Sequence, residues 1–193
     1  LVEIVDLPGV SQWFLSGVDD KPALQSAARA NQALYAYRQD AINIYVTGNQ
    51  SDGGACSFPP DDHIILIAQA SRPEVILHEI GHYLNVRHTH DGERYQNANG
   101  SGCSLGCDCA QFQAGDNDGV DDTIPDHECW STRDELSYHQ FGLPYTSLDA
   151  YGQDRVDAVF HNIMSYHAVR RRITTGQFDR MNDAANAARR NVA

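Results

Sequence analysis

Three histidines constrain this chain more than any other feature of its sequence. His78 and His82 stand four residues apart with Glu79 beside the first, and His88 follows six residues after the second. On a helix, residues i and i+4 share a face, so His78 and His82 can chelate one ion while Glu79 reaches a water bound to it. Neutral imidazole suits zinc, and zinc with an open fourth position brings the pKa of bound water to about 7. His88 adds a geometric demand. A continuing helix, rising 1.5 Å per residue, would carry it about 9 Å beyond His82 and onto another face. For all three to share an ion, the helix must stop near Leu84 and the chain must turn back. Such a stop takes a residue with positive φ, Gly by preference and Asn next, and Asn85 stands there.

The remaining residues must supply a scaffold for that segment. At 193 residues the chain can build one domain, or two small lobes that share a core. Residues 2–7 alternate enough to predict a strand ended by Pro8-Gly9. Residues 22–39 predict a helix, with Asp20 as cap and Pro22 in the first turn. Residues 41–47 and 63–68 read as strands, with a turn-rich loop over 48–54. Residues 73–84 read as the helix that carries the histidines, with Val75, Ile76, Ile80, Tyr83 and Leu84 as its apolar stripe. From 89 to about 129 no apolar period survives, and a stretch of that kind needs cross-links or ions to be ordered. A helix over 132–140 follows from the capping box of Thr132 and Glu135. A last helix starts at Thr174 or Thr175, with Phe178, Met181, Ala185 and Ala188 along one side.

Charge narrows the possible partners. The chain carries 26 Asp+Glu against 14 Lys+Arg, a formal charge of -12, which argues against nucleic acid and anionic membranes as partners. No apolar run approaches the roughly 20 residues of a membrane span. The acidity is local: residues 90–160 hold 14 acids and 3 bases. That segment also holds Cys103, Cys107, Cys109 and Cys129, with Cys56 upstream. Loop cysteines of this kind suggest disulfides and an extracellular compartment, with a Cys-type zinc site as the alternative. Cys107 and Cys109 are too close to pair with each other without strain. The opening LVEIVDLPGV has no charged start and no long apolar run, so a mature form is expected, its targeting segment and propeptide removed. Within the acidic segment Asp116, Asp118, Asp121 and Asp122 offer hard oxygen ligands at short spacing, a candidate Ca²⁺ site. His63, His90, His127, His139, His161 and His167 read as surface or core histidines. Arg170, Arg171 and Arg172 read as a solvated or carboxylate-paired run.

The pattern His78-Glu79-x-x-His82-x-x-Asn85-x-x-His88 resembles that of the metzincin metallopeptidases, with Asn85 where the usual residue is Gly. His161-Asn162-Ile163-Met164-Ser165-Tyr166 resembles the Met-turn of that clan. The segment from Asp118 to Pro125 (DGVDDTIP) is similar to the GDxVxDTP segment of the pappalysin family, with Ile124 inserted, and TTGQFDRM from Thr174 to Met181 also fits. The resemblance spans roughly residues 63–182. It differs from the pappalysin pattern in having no cysteine after Cys129, so the family's disulfides do not transfer directly.

The resemblance implies an α+β fold of metzincin type and a single catalytic domain over residues 1–193. Residues 1–88 would form an N-terminal lobe with a twisted sheet and the active-site helix. Residues 89–193 would form an irregular, helix-ended C-terminal lobe with the Met-turn. It implies a secreted, monomeric zinc endopeptidase acting on protein or peptide substrates, which pair as an extra strand with a sheet edge. His78, His82 and His88 would hold Zn²⁺ and Glu79 would activate zinc-bound water. Tyr166 would ligate zinc at rest or donate to the oxyanion, Met164 would floor the site, and Ca²⁺ would hold the acidic segment. Two rival classes remain. One is a catalytically inactive metzincin-fold module for binding or adhesion. The other is a zinc hydrolase of small-molecule amides.

Overall fold

A computed structural model describes residues 4–49, 53–56, 64–68, 72–91, 94–96, 111–113, 118–127 and 131–192. Cys103, Cys107, Cys109, Cys129, Asp116 and His63 lie outside them, and so do the cross-links expected of the four clustered cysteines. The chain forms two compact units, residues 1–85 with 184–193, and residues 86–183. Helices and a small mixed sheet make it an α+β protein.

The first unit is organised by one apolar strand. Strand β3 (Ile64–Ile67) has β1 (Asn43–Val46) parallel on one side and β2 (Gly54–Ala55) antiparallel on the other. Its side chains alternate between two cores. Leu66 packs with Val10, Leu24, Ala28, Tyr35 and Tyr37, which includes one face of α1 (Lys21–Ala30). Ile65 and Ile67 pack with Val75 on α2 (Pro73–Tyr83). Burial on both faces explains why β3 reads as a continuous apolar run and not an alternating one.

Two expectations fail here for physical reasons. The helix expected over 22–39 ends at Ala30, because the Asn31 side chain takes the Leu34 N–H at 3.2 Å and competes with the helical ladder. Tyr37 N–H then bonds Gln32 O, and Ala36 adopts φ +48°. The strand expected over 2–7 is not formed by its described residues. Residues 4–7 have no regular structure, Ile4 is 93% exposed, and a 3₁₀ turn follows over Pro8–Trp13. Alternation makes a strand only where a neighbouring edge accepts it.

The second unit is helical with a short hairpin-like ladder. Strands β4 (Arg94–Gln96) and β5 (Gln111–Gln113) pair antiparallel inside the stretch read from sequence as irregular. Helix α3 (Arg133–Phe141) starts on the expected capping box: Thr132 accepts the Glu135 N–H and Glu135 accepts the Thr132 N–H. It ends at Gly142, whose φ of +67° favours glycine. Helix α4 (Ala150–Phe160), absent from the sequence expectation, starts at Asp149, which accepts the Gly152 N–H at 2.8 Å. Leu136, Val156 and Val159 join Ile124 in the core of this unit. Helix α5 (Thr175–Val192) begins where the Asp122 carboxylate accepts from the Thr174 hydroxyl at 2.7 Å and the Gly176 N–H at 2.8 Å.

Candidate metal centre

Helix α2 carries an unusual stripe. Positions 75, 78, 79 and 82 fall on one face by helical spacing, and on most helices that stripe is apolar. Here it reads Val75, His78, Glu79, His82, and the last three are buried at 5%, 5% and 7% exposure. Polar groups that are buried this deeply need a partner. The two histidine rings stand nearly perpendicular with centroids 4.7 Å apart, and their Nε2 atoms are 3.1 Å apart. Tetrahedral zinc bound to two imidazoles at 2.0–2.1 Å would set their nitrogens about 3.3 Å apart. The donor pair therefore fits zinc closely in both chemistry and spacing.

The chain then stops and turns. Leu84 N–H bonds back to Ile80 O at 2.9 Å, Asn85 N–H bonds His82 O at 2.9 Å, and Asn85 sits at φ +68°. Val86 is fully buried immediately afterwards. Along the continuous stretch 78–88, one ligand atom each of His78, His82 and His88 lie within 4.8 Å of one another. No other group of three His, Cys, Asp or Glu side chains among the described residues is so placed. His88 directs Nδ1 toward the Asp91 carboxylate at 3.4 Å, which leaves Nε2 for a metal. Burial alone would raise the Asp91 carboxyl, but the group is held below its usual range, with the side-chain hydrogen bond to His88 the largest of the effects that lower it.

Glu79 has a neighbour that no local motif points to. Strand β2 passes so close to Glu79 that a Cβ on Gly54 would lie 2.6 Å from its Cγ and 3.0 Å from its Cδ and Oε1. A long-range approach of this kind leaves no short-range signal beyond the glycine itself.

Around His88, the Tyr166 ring lies edge-on at 4.9 Å and the His90 ring stacks at 4.8 Å. Tyr166 is 53% exposed, whereas Met164 is fully buried. A tight turn holds both. Asn162 Oδ1 accepts the Met164 N–H at 2.8 Å, Ser165 Oγ donates to Asn162 O at 2.8 Å, and Met164 O accepts the Thr89 N–H.

Of the four candidate calcium ligands, Asp118, Asp121 and Asp122 lie among the described residues. Asp118 is fully buried, accepts from the Thr123 hydroxyl at 2.6 Å and the Val120 N–H at 3.1 Å, and bonds Gln177 Nε2. Burial raises its carboxyl above the ordinary value. Asp122 braces the start of α5, and Asp121 is exposed. These three carboxylates are not gathered on one point, and Asp116 lies outside the described residues.

A buried helix stripe with two imidazoles and a carboxylate, followed by a left-handed turn to a third imidazole, is an arrangement that could hold one metal ion. Residues 66–186 match the peptidase family M43 model, described as pregnancy-associated plasma protein-A. That match covers more than half of the chain, which therefore belongs to this family of pappalysin-like metzincins. None of the curated proteins matched the chain. No helix among the described residues is long and apolar enough to cross a membrane.

Proposed function

We propose that the chain is a secreted zinc endopeptidase that hydrolyses peptide bonds in protein or peptide substrates. One observation carries this reading: His78, His82 and His88 offer ligand atoms within 4.8 Å of one another, with Glu79 buried on the same helix face as the first two. His78, His82 and His88 would hold Zn²⁺, which when bound would supply a Lewis acid for the scissile carbonyl and for water. Glu79 is the general base. Its carboxylate takes a proton from the attacking water and returns it to the leaving amine nitrogen, a role worth roughly 10²- to 10⁴-fold in rate. Burial beneath β2 limits the conformations open to that carboxylate, so little ordering is left for the reaction itself. Tyr166, against His88 but half-exposed, can donate its phenol hydrogen to the developing oxyanion, a contribution of about 3 kcal/mol for donors of this type. Met164 supplies a buried apolar floor. Secretion is supported by the cysteine spacing in the acidic segment. Casein digestion with and without a chelator, followed by add-back, tests the reading. Zinc alone should restore cleavage and calcium alone should not; cleavage indifferent to chelation would overturn it.

A further inference from the structure

Asp126 belongs to none of the motifs above, yet it is completely buried in the second unit. A carboxylate withdrawn from water must find its hydrogen-bond donors in the protein. Three converge on it. Thr89 Oγ1 donates to Oδ2 at 2.6 Å, and the His127 N–H donates to Oδ1 at 2.8 Å. His167 Nε2 lies 3.0 Å from Oδ1 and is therefore its protonated nitrogen. The His167 ring is itself held by Phe160, stacked at 4.7 Å.

The two side chains that Asp126 joins are next in sequence to two functional residues. Thr89 follows His88, and His167 follows Tyr166. A second bond closes the circuit, because the Thr89 N–H donates to Met164 O at 3.2 Å. The path from Thr89 through Asp126 to His167, back along the chain to Met164 and across to Thr89 is thus a closed ring. His88 and Tyr166 project beside it with ring centroids 4.9 Å apart. Removing Asp126 would leave the Thr89 backbone bond as the remaining link in that ring.

We propose that Asp126 is a positioning residue: it clamps the loop bearing His88 to the turn bearing Tyr166 and so fixes the third metal ligand against the tyrosine. The proposal rests on the zinc-peptidase reading for its catalytic consequence, but not for its effect on the metal. The test uses Asp126→Asn, which keeps shape and removes charge, and Thr89→Val, which removes only the hydroxyl. Zinc affinity is read by competition with a chromogenic chelator, and kcat and KM on a peptide substrate. Loss of alignment should weaken zinc about tenfold in Asp126→Asn, the low end for residues that orient ligands, and less in Thr89→Val, with Thr89→Ser recovering most of that loss. In a cycle with Tyr166→Phe, the double variant should lose little more kcat than Tyr166→Phe alone. If Asp126→Asn fails to fold, Thr89→Val and Thr89→Ser carry the zinc test alone. Wild-type zinc affinity in Thr89→Val, or additive kcat losses in the cycle, would overturn the proposal. A wild-type protein that binds zinc but cleaves nothing would overturn the peptidase reading instead, and the zinc comparison would still decide the role of Asp126.

Discussion

Substituting Gly54 by Ala is a sharp test of how the candidate base is held. The added Cβ would lie 2.6 Å from Glu79 Cγ, whereas carbon atoms in contact sit about 3.5–4.0 Å apart. About 1 Å must therefore be found by moving one of the two. Strand β2 is poorly placed to retreat. Gly54 pairs with Ile67 and Ala55 with Leu66, the Ala68 N–H bonds Gly53 O at 2.9 Å, and β3 is buried on both faces. The Glu79 side chain has rotatable bonds and is the part that yields. A shift of about 1 Å in a reacting group costs on the order of 10²-fold in rate, close to 2.7 kcal/mol of barrier. Glycine to alanine at negative φ usually stabilises a chain slightly, so the melting temperature should hold while kcat falls. The assay is kcat and KM on a quenched fluorescent peptide, with zinc content and thermal melting measured on the same samples. We expect kcat to drop about 100-fold with KM and zinc content unchanged. A Gly54→Ala enzyme with kcat within threefold of wild type would refute the argument that β2 positions Glu79.

Further expectations concern the turn and the helix cap. Asn85→Gly should leave stability within about 0.5 kcal/mol, because glycine suits φ +68°. Asn85→Val should cost about 1–2 kcal/mol and weaken zinc binding, both read by thermal melting with and without zinc. For Glu135, burial alone would raise the carboxyl, but hydrogen bonds from Thr132 and Ser131 outweigh it and hold the group below 4.5. A carboxylate with a lowered folded value stabilises the protein above its unfolded value and loses that contribution as pH falls through the folded one. The melting temperature of Glu135→Gln should therefore lie below wild type near neutral pH, and the gap should close as pH drops below 4.5. A gap that stays constant across that range would show that the capping carboxylate is not the source.

What could be read from the sequence divides by the range of the interaction. Helix α2 and its stop at Asn85 follow from local rules, since the spacing of His78, His82 and His88 leaves few backbone paths. The cap of α3 is equally local, two side chains three residues apart. Helix α4 is missing from the sequence expectation because its local signal, Asp149 before a run with Val156, Val159 and Phe160, is weaker than a full apolar stripe. The acids of the 118–122 segment were legible as oxygen donors, but not their partners. Gln177 and Thr174 reach them from 59 and 52 residues away. Asp126 likewise meets Thr89 and His167 across 37 and 41 residues. Gly54 and Glu79 meet only because β2 joins the sheet above α2. Sequence patterns record which groups are present and how a helix turns. They do not record which distant backbone will pass over a given side chain.

The most direct test of the central claim is a peptide-library digest by wild type and Glu79→Gln, with zinc measured in both proteins. A wild type that cleaves and a Glu79→Gln variant that holds one zinc per chain without cleaving is the expected result. Equal cleavage by the two proteins, or a wild type that retains no zinc, would contradict the account.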